Sequence, residues 1–358
     1  MQSKEIKKSN KLKLQSENQL SQRSTLIWRI VQILVWLVGA GILFNLVFYP
    51  TIGILLFWNI LIPIAPILLV VAVGVWRNIC PMATNSLFPR HMNLSKRKKI
   101  TTAQTSKLNL IAIIALFIIV PLRHAIFDTN GLATALLIFS LAVISIIMGY
   151  FFEWKSAWCS GLCPVHPVEK LYGFNNRLSL PNAHCTSCHR CVTPCPDSTS
   201  GINPLSLKKT AYHRMAGFLM VGGFPGFVWG WFQVPDRMDI TNIEQLISIY
   251  KMPFIGLLIS SALFLIVKKI IKEDTLVAIS AALSVSFYYW FRIPALFGFG
   301  IFPGDGMLID LSNSIPKWSI TVTVITTTLF FFWWIVVRNK VKISWVTRPK
   351  YATIRKKQ

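Results

Sequence analysis

Whatever chemistry this sequence offers is concentrated in seven cysteines: Cys80, Cys159, Cys163, Cys185, Cys188, Cys191 and Cys195. Residues 185–196 read C-T-S-C-H-R-C-V-T-P-C-P, a C-x2-C-x2-C-x3-C-P run. Its two tight loops let three thiolates converge on three corners of one metal cube. The fourth cysteine, stiffened by the proline after it, points away. This is the bacterial ferredoxin spacing for a [4Fe–4S] cluster. Structural zinc sites instead set two C-x2-C pairs roughly 12 to 20 residues apart.

The other three thiols form a second pattern. Cys159 and Cys163 lie in W-C-S-G-L-C-P and Cys80 in W-R-N-I-C-P. Aligning Cys80–Pro81 with Cys163–Pro164 sets Trp76 against Cys159. The chain therefore reads as a repeated unit, two helices and a cysteine–proline loop, whose first copy has lost a thiol. Cysteine-only [4Fe–4S] clusters need four thiolates each, and the chain has seven. Two arrangements stay open. One uses Cys185, Cys188, Cys191 and either Cys80 or Cys163 for one cluster, leaving a second with a non-cysteine or missing ligand, for which His166, His184, His189 and Asp197 are candidates. The simpler arrangement places one cluster on Cys185, Cys188, Cys191 and Cys195. Between these cysteines, His189 and Arg190 supply positive charge that would raise a reduction potential.

The elements that position the thiols are membrane helices. The 358 residues are 53% hydrophobic and only 14% charged, whereas soluble domains are about a quarter charged. Apolar runs long enough to cross the bilayer, roughly 20 residues each, occur near 26–48, 52–75, 108–127, 131–152, 215–234, 252–267, 275–300 and 318–337. The fold class expected is an all-α polytopic membrane protein of about eight transmembrane helices with a small cytoplasmic ferredoxin-type insertion. In the fifth run Gly222, Gly223, Pro225 and Gly226 predict a kinked or re-entrant segment.

The net charge of +24 fits topology better than nucleic-acid binding. With a cytoplasmic N-terminus, thirty-one of the 37 lysines and arginines fall in the inner connections, as the positive-inside rule requires. The run Lys96–Arg97–Lys98–Lys99 then reads as a solvated anchor touching anionic lipid. The organisation expected is a basic cytoplasmic N-terminus (1–25), four helices (26–152) with a Cys–Pro loop at 76–107, a cytoplasmic iron–sulfur region (153–214), four further helices (215–337) and a basic cytoplasmic tail (338–358). No short apolar region with a small-residue cleavage site opens the chain, so the first helix is expected to be retained. All seven cysteines face the reducing side, where metal ligation is favoured over disulfides.

Helical hairpins carrying cysteine–proline loops, followed by a ferredoxin run, resemble the membrane polyferredoxin family, NapH-like and NosR-like. The resemblance rests on Cys80–Pro81, Cys159–Cys163–Pro164 and Cys185 through Pro196, and covers about 26–200. It implies electron transfer at a bacterial inner membrane, with quinone or another redox protein as partner, and a quinol dehydrogenase-type subunit as the form an enzymatic role would take. Two features depart from the family: Trp76 stands where a cysteine is common, and one ferredoxin run is present where two are usual.

Of six histidines only His124 lies near a span, which disfavours a haem held by two histidines. An ionisable residue at membrane depth is expensive and suggests function. A quinone site could use His124 for the proton and Arg123 or Arg292 for the developing anion; the competing expectation is that both arginines snorkel to outer headgroups. No paired carboxylates, Ser–His–Asp set or phosphate-cradling loop occurs. The reading of function is an iron–sulfur electron relay. The alternative is a transporter or membrane redox sensor, for which Asn59, Pro63, Pro66 and the glycine-rich fifth run speak.

Overall fold

The computed structural model describes residues 21–152, 155–176, 178–181, 183–184, 203–206, 208–236, 242–338 and 346–347. The ferredoxin run, with Cys185, Cys188, Cys191, Cys195, His189, Arg190 and Asp197, lies outside the described residues, as do 1–20 and 348–358.

The described chain is almost wholly helical. In order come α1 (Gln22–Phe48), α2 (Pro50–Ile54), a π-helical stretch (Leu55–Leu61), α3 (Ile62–Ile79) and α4 (Pro81–His91). They are followed by α5 (Thr102–Leu122), π-helical Arg123–Phe127, α6 (Gly131–Phe151), π-helical Lys155–Leu162 and α7 (His166–Tyr172). Next are α8 (Ala211–Phe218), π-helical Leu219–Gly223 and α9 (Phe224–Trp231). Last come α10 (Ile243–Val267), α11 (Glu273–Leu296), α12 (Lys317–Phe332) and π-helical Trp333–Val337. Two short strands, β1 (Leu180–Pro181) and β2 (Val346–Thr347), pair in parallel.

Seven helical segments are long and apolar enough to cross a membrane, so this is a polytopic membrane protein. The expected eighth span, 215–234, falls outside that set. Its π and α9 pieces are buried among the other helices, with Met220, Val221, Phe227 and Trp231 each at most 5% exposed. The glycines that predicted a kink make a contact. Gly226 meets Gly256 of α10, where a Cβ on either would strike the other's carbonyl oxygen. Ser260 adds a hydroxyl that donates to the Gly223 carbonyl at 3.0 Å and accepts from the Gly226 amide at 3.2 Å. Small residues that let backbones touch are the usual adhesive between membrane helices, since lipid is as apolar as leucine.

The central helix is α11, with 67% of its apolar window buried against 17% for α1. It also bends α3. The Tyr289 hydroxyl accepts from the Ile67 amide at 3.1 Å and donates to the Pro63 carbonyl at 2.5 Å. These two groups would otherwise bond each other, so the tyrosine is inserted into the helical ladder. Pro66 and the non-helical Ala72 (φ −147°, ψ 55°) bend the same helix.

The two loops expected at 76–107 and 153–214 are partly helical. Cys80 leaves the helix (ψ 119°) and Pro81 opens α4 at a position where its missing N–H costs nothing. Pro167 is the second residue of α7, three positions after Pro164. Both described cysteine–proline pairs, Cys80–Pro81 and Cys163–Pro164, are thus followed by a short helix.

Candidate functional site

The fold gathers the three described thiols. Cys80, at the turn between α3 and α4, packs with Cys159 and Cys163 around Trp158, Ala83 and Leu87. Cys159 and Cys163 are buried and Cys80 is half-buried. Burial, and behind it the charges of Glu169, Cys80 and Cys159, pushes the Cys163 thiol well above its usual value. Such a group can ionise only alongside a compensating cation.

Beside the thiols stands a buried carboxylate. Glu169 of α7 accepts from Trp76 Nε1 at 2.6 Å and pairs with Arg77 at 3.0 Å; His166 Nδ1 lies 3.0 Å from it. Trp76, which takes the place of a cysteine in the first repeat, is therefore a hydrogen-bond donor to the second repeat. His166, a candidate eighth ligand, is engaged by Glu169. Burial and the nearby Lys170 charge hold its imidazole down at about 4.

Asn78 joins the two halves. Its Nδ2 donates to the Pro181 carbonyl at 3.0 Å and its Oδ1 accepts from the Ala183 amide at 3.0 Å. Gln32 of α1 in turn donates to the Asn78 carbonyl at 2.9 Å. Ala183 and His184 are buried, so the chain enters the ferredoxin run fixed to the residues just before Cys80.

Among the described residues no group of three or more His, Cys, Asp or Glu side chains is placed to hold a metal ion. The donors nevertheless suit a thiophilic cluster in kind: three thiols share one water-poor pocket. The fit is one of chemistry.

The membrane candidates His124, Arg123 and Arg292 are also brought together, at the opposite end of the bundle. Neither arginine snorkels: both are buried, at 3% and 2% exposure. Arg123 reaches Asp128 at 3.2 Å and lies 5.5 Å from the ring centres of both Trp58 and Trp231. Arg292 donates to the Trp58 carbonyl at 2.8 Å and to Asn59 Oδ1 at 2.6 Å. His124 Nδ1 lies 2.5 Å from Asp236, and Nε2 lies 3.0 Å from the Trp231 carbonyl. Both neighbours offer an oxygen that can accept a hydrogen bond from the ring. Although burial would raise it, the hydrogen bond from His124 and the Arg123 charge hold the Asp236 carboxyl at about 2.

Asp305 completes the network by accepting from the Asp236 amide at 2.7 Å. The cavity among these groups is about 40 Å³, room for a water or two. Sequence reasoning found the three basic residues and missed their partners Asp128, Asp236 and Asp305. It also missed Asn78, whose buried amide carries no motif.

Comparison of the chain with protein-family models, with curated proteins and with solved structures gives no match.

Proposed function

We propose that this membrane protein is an iron–sulfur electron-transfer protein, relaying electrons between a quinone pool or docked redox partner and a reductase or maturation system. One observation carries the reading: Cys80, Cys159 and Cys163, separated by up to 83 residues of sequence, share one buried cluster. Apolar packing alone would be served as well by alanine or valine. Cys185, Cys188, Cys191 and Cys195, with these three, would supply the thiolates. A [4Fe–4S] cluster bound by them supplies one-electron chemistry. The chain's own residues exclude water through Trp158 and Leu87, hold positive charge at Arg77, and fix the approach of residues 181–184 through Asn78. The lopsided basic residues support a cytoplasmic position for the thiols. The resemblance to NapH-like and NosR-like polyferredoxins belongs to this proposal.

A quinone contact at His124, Arg123 and Arg292 would require segment 300–306 to swing away, because the cavity takes only water as it stands. It is also remote from the thiols: α5, of 21 residues, separates them by about 30 Å. The test is quinol-driven reduction in His124→Ala. A lost rate with intact dithionite reduction supports the contact, and an unchanged rate removes it.

A second reading, transporter or redox sensor, draws on the broken α3 and the buried charge network around Asn59 and Arg292, features common where helices are interrupted at a binding site. The two readings separate on anaerobic purification. A brown protein with an EPR signal on dithionite reduction supports the relay; a protein without a reducible cluster supports the alternative.

A further inference from the structure

A groove of about 250 Å³ opens between α8, the end of α10 and the start of α11, at the same end of the bundle as the thiols. Its floor is apolar, with Phe218, Phe264 and Leu276, and its rim is basic, with Lys208, Arg214 and Lys268. We propose that it binds the phosphate headgroup of an anionic membrane phospholipid.

Position points to a lipid before charge does. The apolar span α10 ends at Val267 and Lys268 caps it, so the rim stands where hydrocarbon gives way to water. Met215, Ile266 and Ile270 beside the groove are 50%, 61% and 82% exposed, a surface that only acyl chains would cover. The volume suits a glycerophosphate headgroup, whose chains would run outward over that surface.

Charge then selects the headgroup. Lys208 is paired with Glu273 at 2.6 Å. Among the described residues no carboxylate pairs with Arg214 or Lys268. Arg214 donates to the Lys208 carbonyl at 3.4 Å, and Lys268 lies 5.8 Å from the Phe264 ring centre. Two cations left over above an apolar floor complement a single phosphate with its own apolar tail. Basic pockets between spans on the cytoplasmic side bind such headgroups. A zwitterionic lipid carries its own ammonium, which these cations would repel. The site does not depend on the redox reading.

The experiment is native mass spectrometry of the full chain in neutral detergent, with phosphatidylglycerol or phosphatidylcholine added at equal concentration. Phosphatidylglycerol should be retained preferentially, and the Arg214→Ala/Lys268→Ala protein should retain at least about fivefold less of it. Lys356→Ala/Lys357→Ala, which removes as much charge from the basic tail, should retain the wild-type amount. Arg214→Gln alone, with a smaller loss, decides the matter if the double variant does not fold. Equal retention of the two lipids, an undiminished adduct in the groove variants, or an equal loss in the Lys356/Lys357 control overturns the proposal. Displacement of the lipid by millimolar inorganic phosphate also overturns it, since the groove would then be a site for free anions.

Discussion

Asn78 holds Ala183 from 105 positions away: its side-chain oxygen accepts the Ala183 amide at 3.0 Å, and each of the two residues stands two positions before a cysteine in the sequence, Cys80 and Cys185. Its side-chain nitrogen completes the clamp on Pro181. Asn78→Ala would leave a buried amide and a carbonyl unpaired, at a cost of about 1–3 kcal/mol each. Iron and acid-labile sulfide per chain should fall while the helical circular-dichroism signal persists. Unchanged iron would detach the clamp from cofactor binding.

Lys170 gives the stability a pH dependence. The residue is buried, and burial together with Arg77 lowers its pKa to about 8 from 10.5. A lysine whose folded value lies below its unfolded value binds fewer protons folded than unfolded, so it weakens the fold at low pH. Stability should therefore rise between about pH 8 and 10.5. Lys170→Met should raise the thermal midpoint at pH 7 and flatten that rise, read by thermal unfolding in detergent. A midpoint lowered at pH 7 would mean that the ammonium is held by favourable contacts.

The charge network at the far end should be structural in its first effect. Arg292→Leu removes the donors to the Trp58 carbonyl and Asn59 and leaves buried acids less compensated, at a cost of about 3–5 kcal/mol. A double-mutant cycle with Asn59→Ala should show coupling of about 0.5–3 kcal/mol. Additive losses would show that the 2.6 Å contact carries no interaction energy.

The contact between α9 and α10 can be tested by size alone. Gly226→Val places methyl groups against the Gly256 carbonyl and should destabilise by about 1–3 kcal/mol or more. Gly39→Ala, where a Cβ meets nothing within 4 Å, should be neutral. Equal effects at both positions would show that helix propensity, not packing, governs these glycines.

Much of this architecture is legible in sequence because a membrane span is written as an unbroken apolar run. Seven segments follow those runs closely, from α1 to the last stretch, Lys317–Val337. The run at 215–234 reads as a weak span because its glycines are counted as breaks, when their use is to admit the α10 backbone. The cysteine–proline pairs are visible, but the helices after them, α4 and α7, are short and weakly apolar. The arginines misled for another reason. A sequence shows Arg123 and Arg292 in the outer parts of spans, where snorkelling is cheap, but their burial depends on Asp236 and Asn59 arriving from distant segments, besides Asp128 five residues after Arg123. Such pairings have no periodicity. The convergence of Cys80 on Cys163 was legible only through the repeated W-x3-C-P and C-x3-C-P spacing.

The central claim concerns the metal. The protein purified without oxygen should be brown, carry iron and acid-labile sulfide in equal amount, and give an EPR signal when reduced with dithionite. About four irons per chain would correspond to one cluster and about eight to two. A colourless preparation containing zinc, or no metal, would contradict the account.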